Sequence, residues 1–256
     1  PLGNMKTILI TGATSGIGKA CAELFAKENY QLILTGRRAE RLEKIKQDLI
    51  SKYKVKIHVL CFDIQNKKAT ENAINTLPES FKNIAILLNN AGLALGKETL
   101  DKSDMQDWET MLDTNVKGLL YVTRAVIPIM KKNKSGHIIN ISSIAAKEVY
   151  PNGNVYCASK HAVDALTKAM QIDLLAHKIK VTSVAPGMVD TEFSTVRHKG
   201  DKQTADATYN GFTPLFANDI AEVVYFVASR PAHVNINDIL VMPSAQATAT
   251  IVRKGN

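Results

Sequence analysis

The chain has 256 residues, 45% of them hydrophobic and 22% charged, which is the composition of a globular protein long enough to bury a sizeable core. Its longest apolar runs, such as Ala85-Ile86-Leu87-Leu88, have strand length and fall far short of the ~18–20 residues a bilayer-spanning helix needs. The formal charge of +8 is spread along the chain, at Lys44, Lys67, Lys82, Lys117 and Lys178 among others. No nucleic-acid motif accompanies it, so neither nucleic acid nor membrane is an expected partner.

In chain order, residues 6–11 read as a buried strand and 16–29 as a helix with Ile17, Ala20, Cys21, Leu24 and Phe25 on one face. A second strand at 31–35 leads into an amphipathic helix at 40–52. Strands follow at 56–62, 84–88, 137–141, 180–185 and 238–241, with helices at 107–133 and 154–176. The cluster Lys131-Lys132-Asn133-Lys134 falls where the helix over 107–133 ends, and cations there suit the negative end of the helix dipole. Strands alternating with helices imply right-handed crossovers and a doubly wound, Rossmann-like parallel α/β sheet covered on both faces. A single domain over 5–256 is expected, with Pro1-Leu2-Gly3-Asn4 read as a cleavage scar from expression ahead of Met5. Residues 190–213 break the rhythm. They are polar, they follow a strand, and ligands of open α/β sheets sit beyond the strands' carboxyl ends, so a substrate lid is expected there.

Between the first strand and helix lies Thr11-Gly12-Ala13-Thr14-Ser15-Gly16-Ile17-Gly18. Glycines permit a tight turn and let backbone N–H groups approach a pyrophosphate at a helix N-terminus. The spacing is GxxxGxG, so the commoner GxGxxG fingerprint is not met. An NAD site offers an acid ~20 residues beyond the glycines to hold the ribose 2′-hydroxyl. Twenty residues after Gly16 the chain instead reads Gly36-Arg37-Arg38, with no carboxylate. Guanidinium groups bind phosphate in bidentate fashion, and an acid would repel it, so the expected cofactor is NADP(H).

The glycine motif, Asn89-Asn90-Ala91-Gly92, Asn115, Ser143 and Tyr156-Cys157-Ala158-Ser159-Lys160 occur in this order. Together they resemble the short-chain dehydrogenase/reductase superfamily over residues 6–242. Three further stretches, Asn89–Gly96 (NNAGLALG), 107–115 (DWETMLDTN) and 231–237 (PAHVNIN), resemble its NADP-dependent 3-hydroxy acid dehydrogenases, which include serine and allo-threonine dehydrogenases. The resemblance implies that Gly12, Thr14, Ser15, Gly16, Ile17 and Gly18 cradle the cofactor. It places Asp63 and Ile64 beside adenine and Asn90, with Ala91 and Gly92, near the ribose. Pro186, Gly187, Val189 and Thr191 would anchor the nicotinamide, and Asn115 would hold a water behind the lysine. A homotetramer is implied as well.

The residues carry the chemistry on their own terms. Tyr156 and Lys160 are four apart and share a helix face. A free tyrosine titrates near ~10, and a neighbouring ammonium is expected to lower that value, making Tyr156 a general acid for carbonyl reduction and a base for alcohol oxidation. Ser143 ends a strand 13 residues earlier, where its hydroxyl can bond a substrate oxygen. Ser142 then points to the other face and is structural. The alternative for Asn115 is a helix-interior amide bonding backbone. A carboxylate substrate calls for a cation, and Arg197 in the lid is the candidate clamp, with a solvent-facing charge as the alternative.

Cys157 is expected to pack away from the site. The odd cysteine count (Cys21, Cys61, Cys157) argues against a disulfide framework and for a reducing, cytoplasmic setting. His58, His137, His161, His177, His198 and His233 lack metal-site spacing, so no metal is expected. The function expected is reversible hydride transfer between NADP(H) and a small 3-hydroxy acid such as serine, allo-threonine or 3-hydroxypropanoate. Two other readings stay open. One is a reductase of bulkier ketones or of 3-oxoacyl groups on an acidic carrier protein. The other is an NADP(H)-binding redox sensor, against which the intact Ser143/Tyr156/Lys160 set argues.

Overall fold

The computed structural model describes residues 5–255, so the scar expected at 1–4 lies outside the described residues. Seven strands form one parallel sheet: β1 (Thr7–Ile10), β2 (Gln31–Gly36), β3 (Ile57–Cys61), β4 (Ile84–Asn89), β5 (Gly136–Ile141), β6 (Ile179–Pro186) and, at the far edge, β9 (Asp238–Val241). Their order is β3-β2-β1-β4-β5-β6-β9. The sequence runs outward from β1 in one direction, then returns to β4 on its other side. That reversal opens a crevice at the carboxyl ends of β1 and β4, the place such sheets bind ligands.

Why these strands are uniformly apolar follows from what covers them. Ile8 and Ile10 of β1 pack with Leu32 and Leu34 of β2 into one core, beneath α1 (Gly16–Lys27), α2 (Ala39–Tyr53) and α9 (Ala217–Ala228). Leu9 and Ile33 point the opposite way, into a second core under α3 (Lys67–Asn75), α5 (Leu119–Asn133) and α6 (Asn154–Asp173). With both faces buried, alternation has no polar side to show, and the strands read as continuous hydrophobic runs. Phe25 of α1 meets Tyr225 of α9 edge-on at 5.5 Å, which locks those two helices together.

Several boundaries differ from expectation for local reasons. The first helix stops at Lys27, because Asn29 takes a left-handed φ of 61°. The helix expected over 107–133 is two helices, α4 (Met105–Leu112) and α5, joined by a π-turn over Asp113–Gly118. The extra residue per turn rotates Asn115 inward, and no hydrophobic periodicity signals such an insertion. Lys134 closes α5 in the left-handed region, as the lysine cluster suggested. The segment over 190–213 is more ordered than its polarity implied. It holds α7 (Glu192–Arg197) and α8 (Lys202–Ala207), each started by a side-chain cap, Thr191 and Asp201. A short parallel pair, β7 (Val189–Asp190) with β8 (Leu215–Phe216), brings the two ends of this segment together. Among the described residues no helix is long and apolar enough to cross a membrane.

Candidate active site

The turn after β1 is built around backbone that a side chain would block. Gly12 sits at φ +64°, and a Cβ there would lie 2.9 Å from Ala91 Cα. At Gly18 a Cβ would come within 2.3 Å of the Gly12 carbonyl oxygen. The same turn is tied to the end of β4. Asn90 Nδ2 donates to the carbonyls of Thr11 (3.0 Å) and Gly12 (3.1 Å), and Thr11 Oγ1 accepts from the N–H groups of Asn90 and Ala91, each at 3.0 Å. Asn90 therefore fixes the glycine turn from across the crevice. The open N-terminus of α1 has no side-chain cap, which leaves its N–H groups for an anion such as a pyrophosphate.

Of the residues that the sequence singled out, all but Gly18, Asn115 and Arg197 line one continuous cleft of ≈ 350 Å³. At one end stands Arg38, whose guanidinium donates to Thr14 Oγ1 at 2.6 and 3.0 Å and to Ser15 Oγ at 2.9 Å. Arg37 turns toward Asp63, 3.6 Å away, on the side of β3. A guanidinium locked to the glycine turn, with no carboxylate ending β2, fits the extra phosphate of NADP(H). Arg38 and Arg41, one turn further along α2, also share the Glu192 carboxylate, at 3.0 and 2.8 Å. Sequence reading missed Arg41 and Glu192. The i, i+3 spacing of Arg38 and Arg41 on an amphipathic helix was the available signal.

At the other end of the cleft α6 presents Tyr156 and Lys160 on one face, as their spacing requires. Both are buried. Ser143 leaves β5 in extended backbone, and its Oγ accepts from Ala145 N at 3.1 Å, capping a short 3₁₀ turn. Burial among Leu93, Ala94, Met111 and Ala145 pushes the Tyr156 phenol well above its ordinary range. The Ser143 hydroxyl and the Arg197 guanidinium pull it back only in part. The expectation that Lys160 depresses it is thus not met in the isolated chain. Lys160 Nζ donates to the Ile141 carbonyl at 2.9 Å, and burial brings the ammonium itself down to about 8. Desolvation outweighs charge because the two groups share a dry site.

Asn115 spends both amide hydrogens within the protein, on Leu93 O (2.8 Å) and Ser159 Oγ (3.0 Å), and its Oδ1 accepts from Leu93 N at 2.8 Å. Its side chain pins the loop after β4 onto α6 and has no hydrogen left for a water. Ser142, expected to be structural, lies along the same cleft, with its Oγ buried and unpartnered among the described residues. Cys157 packs in the same apolar cluster as Tyr156 instead of turning away from it.

Arg197, at the end of α7, does not line the cleft itself. Its guanidinium stands 5.5 Å from the centres of both the Tyr150 and Tyr156 rings and donates from Nη1 to Tyr150 Oη at 3.0 Å. Its Nε is buried with no partner among the described residues. Phe193 of α7 also approaches the Tyr156 ring, at 5.8 Å. Tyr150 and Phe193 were not anticipated, since single aromatics in a loop and a polar segment carry no periodic signal.

A crevice at the sheet's switch point, glycine-floored at one end and closed by a serine, a tyrosine and a lysine at the other, defines a nucleotide-dependent oxidoreductase. A family model described as short chain dehydrogenase matches residues 6–202, and the chain belongs to that family. It is 46% identical to sulfoacetaldehyde reductase 2 of Chromohalobacter salexigens over 94% of this chain and 95% of that protein. It is 44% identical to the NADP-dependent 3-hydroxy acid dehydrogenase YdfG of Escherichia coli K12 over 94% and 96%. Among solved structures, the closed form of serine dehydrogenase complexed with NADP+ superimposes with a TM-score of 0.92 at 43% identity. That match covers 98% of this chain and all of the other.

Proposed function

We propose that the protein reversibly transfers a hydride between NADP(H) and C3 of a small 3-hydroxy acid of the serine, allo-threonine or 3-hydroxypropanoate type. The relatives named for 3-hydroxy acids and serine support this reading, and one observation on this chain carries the acid part of it. Arg197 keeps a buried, unpartnered Nε–H beside the Tyr156 ring. A buried donor without a partner is costly, and a substrate carboxylate would satisfy it. A sulfonate offers the same oxygens, so the likeness to sulfoacetaldehyde reductase 2 makes short oxo-sulfonates a second candidate class.

NADP+ supplies the hydride acceptor when bound, and the protein supplies orientation and proton chemistry. Ser143 Oγ and Tyr156 Oη would receive the substrate hydroxyl, and Tyr156, in its ionised form for the oxidative direction, would take the hydroxyl proton while the hydride of C3 passes to the bound cofactor. Ser143 then stabilises the developing carbonyl oxygen. Lys160, one helical turn on, supplies positive charge and an outlet for the proton, while Asn115 holds the loop that borders both. The turn of Gly12, Thr14, Ser15, Gly16, Ile17 and Gly18 would hold the cofactor's diphosphate, with Arg37 and Arg38 at its extra phosphate. Asp63 and Ile64 would flank adenine, and Asn90, Ala91 and Gly92 the ribose. Pro186, Gly187, Val189 and Thr191 would border the nicotinamide. The β-keto acid formed could lose carbon dioxide without further catalysis.

A screen at 340 nm tests the reading, with 3-hydroxy acids and NADP+ or NAD+ in one direction and sulfoacetaldehyde with NADPH in the other. Turnover of one anionic class with preference for NADP(H) is expected. Inertness toward all of them, with turnover of an acylated carrier protein, would overturn the proposal. Arg197→Met is expected to raise KM for the hydroxy acid at least tenfold with a smaller change in kcat. An unchanged KM removes the clamp.

The assembly belongs to the same proposal. Met105, Leu112 and Leu120 on the α4–α5 side are exposed, as are Phe226 of α9 and Leu240 of β9. Two such apolar surfaces would support a homotetramer, to be checked by light scattering. Cys21, Cys61 and Cys157 are all free, in keeping with a cytoplasmic setting.

A further inference from the structure

Glu192 is the first residue of α7, next to Thr191, and lines the cleft. Its carboxylate lies between two guanidiniums. Oε2 accepts from Arg38 Nη1 at 3.0 Å, and Arg41 Nη1 bonds Oε1 at 2.8 Å and Oε2 at 3.2 Å. Arg38 is at the same time held by Thr14 and Ser15 of the glycine turn. The protein has therefore assembled a complete anion site, two guanidiniums around one oxyanion, at the place where NADP and NAD differ.

We propose that Glu192 is an internal stand-in for the cofactor's 2′-phosphate, holding Arg38 and Arg41 until that phosphate displaces it. This rests on the NADP(H) reading above and goes further, assigning Arg41 to the phosphate and a competing role to Glu192. The two anions cannot share the pair. A phosphate monoester carries roughly −1.5 to −2 charges at neutral pH against one for a carboxylate, and it presents three strong acceptor oxygens to the guanidinium forks. Phosphate therefore wins, but its affinity is reduced by the ion pairs it must break. A coenzyme lacking the 2′-phosphate leaves Glu192 in place. The same pairing ties α7 to α2 when the phosphate is absent, so the start of the lid responds to which coenzyme enters.

Calorimetric titration with two fragments isolates the effect, 2′,5′-ADP carrying the extra phosphate and 5′-AMP lacking it. Both pairs are half exposed, with side-chain accessibilities of 41% and 50% for the arginines and 50% for Glu192. Their loss in Glu192→Gln should therefore tighten 2′,5′-ADP roughly three- to tenfold and leave 5′-AMP within about twofold. Arg41→Met should weaken 2′,5′-ADP severalfold and spare 5′-AMP. Unchanged or weaker binding of 2′,5′-ADP by Glu192→Gln, or equal tightening of both fragments, would overturn the competition. No loss in Arg41→Met would remove Arg41 from the phosphate site. If the unaltered protein binds both fragments equally, the NADP(H) reading itself fails and takes this proposal with it.

Discussion

Tyr156→Phe is expected to lower kcat by about 10²- to 10⁴-fold while the affinity for NADPH, read by titration, stays within about twofold. The phenol is the proton-exchanging group placed to meet the substrate oxygen beside Ser143, with Lys160 behind it as the outlet. Lys160 is engaged with the Ile141 carbonyl, and the Ser143 hydroxyl is a far weaker base. The loss should appear equally in kcat and kcat/KM, since the removed interaction develops with the transition state. A variant that keeps full speed would place the proton transfer elsewhere. The pH dependence bears on the same group. Free of ligands, Tyr156 titrates above its ordinary range, so the oxidative direction should gain rate as pH rises, and the reductive direction should tolerate neutral pH.

Much of this architecture was legible because the physics that writes it is local. Uniform apolar runs such as Ile86-Leu87-Leu88 mean strands covered on both faces, and the place of the glycine turn after the first of them fixes where an anion can sit. The shared face of Tyr156 and Lys160 follows from helical geometry alone. What stayed hidden depends on partners distant in sequence. The bond from Asn90 to the glycine turn spans 78 residues, and Glu192 reaches Arg38 across 154. The π-turn that swings Asn115 inward adds one residue to a helix whose hydrophobic pattern barely registers it. The sign of the Tyr156 shift was misjudged for a related reason. Spacing on a helix says that an ammonium is near, but not how dry the site is, and here dryness dominates.

That dryness has a price at Lys160, and the second large effect follows from it. The group's ordinary value of 10.5 falls to about 8 because the charged form is buried. Between those two pH values the unfolded chain holds a proton that the folded chain has released. Stability contributed by this residue therefore rises with pH through that window, and below about 8 the full penalty stands. A shift of this size corresponds to about 3 kcal/mol, and losing the hydrogen bond to Ile141 O would return about 1 kcal/mol of it. Lys160→Met is accordingly expected to be more stable than the unaltered protein at pH 7 by about 2 kcal/mol, a Tm rise of roughly 4–8 °C. The difference should vanish near pH 10 and reverse above it, where only the lost hydrogen bond of about 1 kcal/mol remains. The same variant should lose about 10²-fold or more in kcat, since the charge that destabilises the free fold is the one that favours a phenolate beside it. Thermal melts at pH 7 and pH 10 with matched rate measurements decide the matter. A Lys160→Met protein that melts lower than its parent at pH 7 would mean that the ammonium is already compensated in the fold, and that its burial is no reserve held for catalysis.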